Sequence, residues 1–361
     1  MAHNSWPRRA FTLVLLAAFI GACGGGAKGA EGDAGPGGQD ANVGPDSGTS
    51  KDSGTSGALT KLFQSGFEPD TKLEESSASA DKFVGADKSL GDLNDWQKDL
   101  LSSGLIEGAQ IYYEDKEGDR TKRNADIVKD GDGGHYLRYV IRRAHITKPA
   151  KKAGDPDEIK GRIQLSFNPL KDLTSWTYRV RVRLTGGFKD LAASPQPVKW
   201  MTLGEFWNDL PFADDPFRIH IAVNKGAQVE DFYWAVHGQT KTAESKWVDV
   251  SGFEFPGDTG AKVKVALDEW LTLEVSCKEG LGNEGRFVAR VTDAKGKTQT
   301  IVDWTGATAH PQMKALNGFD AIQPLKLYTN GQYVEGLHKA KAKALEVHWD
   351  DFELYSGFSA D

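Results

Sequence analysis

Alternating apolar and polar residues characterise the chain from residue 59 onward, in short runs bounded by Gly, Asp, Asn and Pro. The clearest runs are GRIQLSF, WTYRVRVRL, FRIHIAVN, DFYWAVH, WLTLEVSC and LKLYT. A period of two is typical of strands that bury one face. Helical periodicity is confined to two short predicted helices, Asn94–Leu101 and Pro311–Leu316. The pattern therefore predicts an all-β fold, a two-sheet antiparallel jelly-roll β-sandwich, and the lack of a fixed repeat disfavours a propeller.

The N-terminal region has a different composition. Residues 24–58 are dominated by glycine, serine and aspartate and contain almost no residue able to build a core. Such a segment is typical of a disordered tether, and as a flexible coil it spans roughly 30–35 Å. The sequence thus divides into three segments: a predicted signal peptide at residues 1–22, Cys23 and the tether at residues 23–58, and a single β-sandwich domain at residues 59–361.

An export signal is predicted at residues 1–22. Arg8 and Arg9 precede the apolar run AFTLVLLAAFIGAC, which is too short to span a bilayer. The run ends in IGAC at residues 20–23, which resembles the lipobox of bacterial lipoproteins. This resemblance implies cleavage before Cys23 and lipid modification of that cysteine, which would hold the protein stably on a membrane. Because Gly24 stands where Asp commonly retains lipoproteins at the inner membrane, the resemblance implies the outer membrane.

Charge and cysteine content narrow the partners and the source of stability. The net charge is −7 and no long basic block exists, which argues against a nucleic-acid partner. With Cys23 assigned to lipid, Cys277 is left alone, so we expect no disulfide and a fold that depends on its hydrophobic core. Cys277 is in phase with the apolar residues of WLTLEVSC, which predicts a buried, inert thiol.

The two ends of the domain carry a family resemblance. LFQSGFE at residues 62–68 opens the domain, and VHWDDFELY at residues 347–355 closes it. The pair resembles the concanavalin A-like jelly rolls, which include laminin-G-type modules and several polysaccharide lyases and commonly pair their first and last strands. In these two end segments, Asp350, Asp351 and Glu68 would suit a structural calcium ion. Equally, these carboxylates could lie at a strand end in contact with water. No other cofactor is expected.

The polar faces of the predicted strands supply candidate ligand-binding residues. In WTYRVRVRL, Arg179, Arg181 and Arg183 share one face, and in LKLYT, Lys326 lies opposite the leucines. If such faces belong to one sheet, they form a cleft suited to an acidic sugar polymer, because arginine pairs with carboxylates in bidentate fashion. Trp207, within GEFWN, adds an aromatic candidate for sugar contact. Exposed arginines also serve solubility and cross-strand pairing, so both interpretations stay open for the arginine row.

Three strand segments resemble the motifs of alginate-lyase-type jelly rolls. Those motifs are Arg-x-Glu-Leu, then Gln-Ile/Val-His, then a Tyr-Phe-Lys-Ala-Gly-x-Tyr strand. This chain has RIQL from Arg162 with Gln164 in place of Glu, TLGEFWND near the second motif, and Lys326, Tyr328 and Tyr333 near the third. The order and spacing agree, but every motif is altered, and the Gln-x-His motif is missing.

The resemblance implies roles for these residues in β-elimination at a uronate. Arg162 and Gln164 would neutralise the carboxylate, His220 or Tyr328 would take the α-proton, and Tyr328 or Tyr333 would protonate the leaving oxygen. A tyrosine base would need nearby cations such as Lys326, because free tyrosine titrates near 10. His220 could replace the missing histidine only if its strand lies beside the GRIQLSF strand.

Two functions remain open on the sequence alone. The first is a membrane-anchored surface or periplasmic lipoprotein whose jelly roll binds, or cleaves by β-elimination, an extracellular and uronate-containing polysaccharide. The alternative is a structural or adhesive surface module that uses the sandwich for protein contacts. A glycoside hydrolase is disfavoured because no Glu-x-Asp-x-x-Glu strand is present. Glu205 is a solitary carboxylate whose facing depends on whether Gly204 forms a bulge.

Overall fold

The computed structural model describes residues 58–359, with gaps at 103, 105, 114–118, 151–155, 171, 209–216, 242–246, 250–262 and 311. The predicted signal, Cys23 and nearly all of the predicted tether lie outside the described residues. Among the residues described, no helix combines the length and the apolar composition needed to cross a membrane.

The described strands form two antiparallel sheets. Sheet A contains eight strands: β1 (Thr60–Ser65), β5 (Arg123–Lys129), β6 (His135–Ile141), β9 (Ser175–Gly186), β14 (Leu271–Lys278), β15 (Arg286–Thr292), β16 (Thr298–Thr305) and β18 (Leu345–Ser356). Sheet B contains ten: β2 (Lys72–Ser77), β3 (Ala80–Val84), β4 (Ile106–Tyr113), β7 (His145–Lys148), β8 (Glu158–Leu170), β10 (Met201–Trp207), β11 (Phe217–Asn224), β12 (Tyr233–Lys241), β13 (Trp247–Asp249) and β17 (Ala321–Asn330).

The order of the strands differs from their order in sequence. Sheet A runs β16-β15-β14-β9-β18-β6-β5, and β1 pairs with the second half of β18. Sheet B runs β13-β12-β11-β10-β17-β8-β4-β3-β2, and β7 pairs with β8. The first and last strands therefore pair in one sheet, as the sequence resemblance implies. The prediction of an all-β jelly-roll sandwich is confirmed.

The inward faces of the two sheets form one continuous hydrophobic core. On β8 and β17 the alternating residues Ile163, Leu165, Phe167, Leu325 and Leu327 are fully buried. Cys277 also lies in this core, and burial raises the pKa of its thiol well above the usual value, as expected for an inert cysteine. The polar residues between the core positions must therefore lie on the opposite face of each sheet.

An aromatic cluster joins the two sheets near the start of the domain. Trp96 is fully buried and stacks on Phe83 of β3 with ring centroids 4.0 Å apart. Its ring also meets Phe63 of β1 edge-on at 4.6 Å and lies 6.2 Å from Phe67. Since β1 belongs to sheet A and β3 to sheet B, this cluster holds the edges of the sandwich together.

Helical structure is sparse in the described part of the chain. It consists of a 3₁₀ turn at Lys88–Leu90, a π-helical turn at Trp96–Leu101, α1 (Phe188–Ala193) and α2 (Gly331–Lys339). The predicted helix Asn94–Leu101 corresponds to the π-helical turn. The predicted helix Pro311–Leu316 is wrong, because none of residues 312–316 is helical; they form turns, bends and irregular chain.

Candidate functional site

A row of polar side chains crosses six neighbouring strands of sheet B on the face opposite the core. We call it the polar row, and its members are His237, His220, Glu205, Lys326, Gln164 and Tyr112, on β12, β11, β10, β17, β8 and β4. Cross-strand register aligns His237 with His220, His220 with Glu205, Lys326 with Gln164, and Gln164 with Tyr112. At a strand spacing of about 4.8 Å, the row extends over roughly 24 Å.

Two bulges bring the centre of the polar row together. In β10 the register against β11 shifts between Thr202 and Gly204, so that Glu205 faces outward beside His220. In β17 the register against β8 shifts between Ile322 and Leu325, across Pro324. A proline has no N–H for the ladder and is tolerated at such a bulge. Without these irregularities, strict alternation would not place Glu205 and Lys326 on the same face.

Glu205 is the hub of an ion-pair network at the centre of the row. Its Oε1 accepts from Arg218 Nη1 at 2.7 Å, and its Oε2 accepts from Lys326 Nζ. Glu205 and Lys326 are 3% and 1% exposed, although they lie on the face away from the core. Lys326 Nζ also donates to Gln323 Oε1. The network therefore has the directed geometry of a buried, charge-assisted cluster.

The two partners of this ion pair titrate differently. Burial opposes ionisation of Glu205, but the charges of Lys326 and Arg218 outweigh it and lower the Glu205 pKa to about 2. Burial lowers the pKa of Lys326 to about 8, because Glu205 only partly offsets desolvation and repulsion from Arg162 and Arg218. Glu205 therefore stays ionised across the physiological range, whereas Lys326 is poised to lose its proton in mild alkali.

A pair of stacked histidines forms one end of the row. The rings of His220 and His237 are nearly parallel, with an interplanar angle of 5° and centroids 4.5 Å apart. Burial and the Arg218 charge lower the pKa of His237 to about 3. Burial, with the charges of His237 and Arg218, also lowers the pKa of His220 well below its usual value. Both imidazoles are therefore neutral at neutral pH.

We expect this histidine pair to make the fold sensitive to acid. The folded protein keeps both rings neutral, whereas the unfolded chain binds protons below about pH 6.5, so stability falls as the pH decreases from that value. Each ring contributes up to about 1.4 kcal/mol per pH unit. Replacing His220 or His237 by glutamine should reduce the slope of the unfolding free energy, measured by urea denaturation between about pH 6.5 and 4.5. His338→Gln, on the exposed face of α2, is the control, and an unchanged slope in both site variants would contradict the assignment.

Tyr328 stands next to the row, surrounded by cations and a second aromatic ring. The Arg162 guanidinium lies 4.3 Å from the Tyr328 ring centroid, and the ammonium groups of Lys326 and Lys160 lie at 5.1 and 5.7 Å. Trp200 meets the tyrosine edge-on at 4.6 Å. Cation–π contacts of this kind hold the aromatic ring in a fixed orientation beside the polar row.

Gln164 Oε1 and His220 Nδ1 in the polar row are buried without a hydrogen-bond partner among the described residues. Their side chains are 6% and 5% exposed. Gln164 Nε2 is engaged, donating to Ser166 Oγ at 3.0 Å. Because unpaired buried polar atoms cost free energy, a bound molecule that hydrogen-bonds to them would gain affinity.

The structure brings together six of the ten residues predicted for catalysis or ligand binding. Arg162, Gln164, His220, Lys326 and Tyr328 all lie on the outward face of sheet B. Trp207 lies on the same face, where the Arg218 guanidinium is 5.4 Å from its ring centroid. The strand of His220 is not adjacent to β8, however, because β10 and β17 lie between them. The condition under which His220 could replace the missing motif histidine is therefore not met.

The remaining predicted residues lie elsewhere. Tyr333 is on helix α2, where its hydroxyl accepts from the backbone N–H of Lys199 at 3.3 Å, so it does not continue the strand of Tyr328. Arg179, Arg181 and Arg183 are on β9 of sheet A, so they cannot line a cleft on sheet B. Their partners on sheet A are Glu274 for Arg179, Asp350 and Asp351 for Arg181, and His348 for Arg183.

The carboxylates considered for calcium are committed to other partners. Asp350 and Asp351 each accept from Arg181 at 3.2 Å, and Glu68 Oε2 lies 3.2 Å from His135 Nδ1. Burial and the Asp351 charge raise the pKa of Asp350 to about 7. Across the described ranges, no group of three or more His, Cys, Asp or Glu side chains is arranged to hold a metal ion. The calcium site at Asp350, Asp351 and Glu68 stays a prediction.

Sequence reasoning did not assign a role to Glu205, Arg218 or His237. The alternating pattern predicts the strands of these residues. Whether Glu205 can pair with both Arg218 and Lys326, however, depends on which face each side chain occupies on three neighbouring strands. The available signal was Gly204, because a glycine inside a strand often marks a bulge that resets the alternation.

Comparisons with known proteins give only distant structural similarity. No protein-family model matches the chain, and no curated protein matches it. The endo-β-1,4-glucuronan lyase of the fungus Trichoderma reesei is 13% identical, covering 66% of this chain and 88% of that one, with a TM-score of 0.37. The marine PL-14 alginate lyase of Aplysia kurodai is 9% identical, covering 82% and 98%, with a TM-score of 0.41.

A third similar structure is the exoplasmic/lumenal domain of VIP36 in its Ca²⁺/Man3GlcNAc-bound form. It is 10% identical, covering 66% of this chain and 84% of that one, with a TM-score of 0.32. At such identities and TM-scores, these likenesses assign neither a family nor an activity. The chain is an all-β jelly-roll sandwich whose candidate site must be judged from its own geometry.

Proposed function

We propose that the outward face of sheet B binds a polysaccharide along the polar row. The observation that carries this proposal is the row of six polar side chains across six strands. Four of its five steps are aligned by strand register, and the fifth, from Glu205 to Lys326, is an ion pair across a register shift. A row of roughly 24 Å can contact several residues of a linear polymer at once. This face of sheet B carries directed hydrogen-bonding groups beside aromatic rings, of which Tyr112 and Trp207 are the more exposed, and this combination suits a ligand rich in hydroxyls.

Aromatic side chains at both sides of the row support sugar contact. Tyr112 is 37% exposed at the end of the row, next to Gln164 in register. Trp207 is half-buried on β10, and Tyr328 is held by the cations around it. An aromatic ring beside hydrogen-bonding groups matches the apolar face and polar edge of a pyranose ring.

The spacing of the residues favours binding over cleavage by β-elimination. Arg162, Gln164 and Tyr328 lie on the adjacent strands β8 and β17, so they can contact one sugar. His220 lies three strand spacings from β8, roughly 14 Å away, which is too far to act on that same sugar. Of the residues assigned to proton transfer, Tyr328 alone lies beside Arg162 and Gln164, because His220 is too distant and Tyr333 is on α2. The assigned acid and base therefore do not both reach that sugar, and we propose a binding site without lyase activity.

A lipid anchor in the outer membrane is the second part of the proposal, with the domain on the periplasmic or the cell-surface side, and it comes from the sequence alone. The lipobox-like IGAC segment and the glycine-rich stretch after it support a lipoprotein attached through Cys23 to the outer membrane. Cys23→Ser should release the protein from the membrane fraction of an expressing bacterium. Membrane retention of this variant in full would contradict the anchor.

Polysaccharide binding should depend on Arg162 of sheet B and not on the arginines of β9 in sheet A. We expect Arg162→Ala to weaken polysaccharide affinity about tenfold, the loss typical of one charge-assisted contact. The matched control is Arg183→Ala on sheet A, which should bind like the wild type. Affinities for neutral and uronate polymers would be measured by calorimetry, with ultraviolet absorbance recorded for unsaturated products. An equal loss in both variants, or the absence of any binding, would favour the surface-contact module instead.

A further inference from the structure

Glu205 is the one member of the polar row that carries a negative charge. Each of its carboxylate oxygens is bonded to a different cation, Oε1 to Arg218 and Oε2 to Lys326. This is the arrangement in which a site binds the carboxylate of an acidic ligand. The protein thus supplies, from its own chain, the anion that these two cations would otherwise take from a ligand.

The internal carboxylate has the advantage over a ligand carboxylate. It is held in place by β10, so it competes at a high effective concentration and at no further entropic cost. Its lowered pKa keeps it charged at every pH at which the protein is expected to work. An acidic sugar bound at the centre of the row would also be repelled by Glu205 in a poorly hydrated environment.

The buried atoms that lack a partner favour a neutral ligand as well. Gln164 Oε1 accepts hydrogen bonds and cannot donate them, so its partner must bring an N–H or O–H group. A sugar hydroxyl can donate to it, whereas an ionised carboxylate cannot. Gln164 is the register neighbour of Lys326, so this requirement applies next to the ion pair.

We infer that Glu205 selects the charge of the ligand, so that the site takes neutral polysaccharides in preference to uronate polymers. The inference rests on the proposed function, and the neutral ligand takes the place of the uronate polymer expected from the sequence. Removing the charge of Glu205 should reverse the preference for neutral polymers. Glu205→Gln keeps the shape and one acceptor of the side chain but releases Lys326 and Arg218 for an external carboxylate.

The test compares matched pairs of polymers that differ only in charge. Polyglucuronate, polymannuronate and polygalacturonate would each be paired with the neutral polymer obtained by reducing its carboxyl groups. Wild-type protein should prefer the neutral member of the pair that it binds. Glu205→Gln should shift the ratio of acidic to neutral affinity by roughly tenfold or more towards the acidic polymer, at low ionic strength.

A second variant tests whether Lys326 is the cation that binds the acidic polymer. Glu205→Gln combined with Lys326→Met removes both buried charges of the pair, and it should lose most of the gain in acidic affinity. Melting temperatures of all three proteins show whether they are folded. Binding with the same acidic-to-neutral ratio in wild type and Glu205→Gln overturns the charge selection and leaves the binding site standing. Absence of binding across all three pairs overturns the proposed function and this inference together.

Discussion

Replacing Lys326 by methionine should lower the free energy of unfolding by about 3 kcal/mol, because removal of one partner leaves a buried charge insufficiently compensated. Glu205 is 3% exposed and would keep its ion pair with Arg218 but lose the one with Lys326. The methionine has a volume similar to that of lysine, so the loss would report charge and not a cavity. Urea denaturation at neutral pH measures this effect.

The double variant Glu205→Gln/Lys326→Met is the control for this prediction. With both charges removed, most of the lost stability should return, because replacing a whole buried ion pair is often close to neutral. The interaction free energy from the double-mutant cycle then gives the coupling of the pair. Additive losses in the two single variants would contradict a direct Glu205–Lys326 interaction.

Replacing Trp96 by alanine should cost about 3–5 kcal/mol of stability, the range for truncating a fully buried tryptophan. The side chain packs on Phe83 of sheet B and Phe63 of sheet A, so its removal opens a cavity where the two sheets join. In Trp96→Ala, the side chain of Phe63 on β1 loses this contact. Hydrogen exchange of the β1 amides should therefore accelerate, relative to the wild type, more than exchange of the β9 amides.

Trp304→Ala is the matched control for the cavity, because Trp304 is only partly buried at the periphery of the core. It should cost clearly less than Trp96→Ala in the same urea denaturation. Equal losses in the two variants would show that Trp96 has no special part in joining the sheets.

Much of the fold follows from local alternation, since side chains in a strand point to opposite faces whatever the strand order. FRIHIAVN matches β11 residue for residue. Strand order and changes of sheet do not follow from alternation. The continuous run HYLRYVIRRAHI divides into β6 of sheet A and β7 of sheet B, because the chain crosses the sandwich at residues 142–144. Such a crossing depends on long-range packing that a single sequence does not reveal.

The same physical distinction explains which site residues could be predicted. Arg162, Gln164, Lys326 and Tyr328 follow from alternation on β8 and β17. Glu205 does not, because its direction depends on a bulge whose presence the glycine suggests but does not prove. The sequence also contains a signal against placing Tyr333 in the site.

That signal is a helix start at the end of β17. The side chain of Asn330 accepts from the backbone N–H of Gln332 and caps helix α2, and asparagine is among the preferred residues at this position. The strand therefore ends at Asn330, and Tyr333 turns away from the polar row. Motif spacing alone suggests a continuous strand.

The position of β18 has a consequence for how the protein is made. Residues 345–356 are the last of the described strands along the chain, yet they form a central strand of sheet A, between β9 on one side and β6 and β1 on the other. During synthesis β9, β6 and β1 have no common neighbour until residues 345–356 have been translated. Pairing over such distances is slow, because loop closure precedes the stabilising contacts. Sheet A therefore cannot be completed before β18 has been translated, and until then β1, β6 and β9 of the nascent chain lack their shared partner.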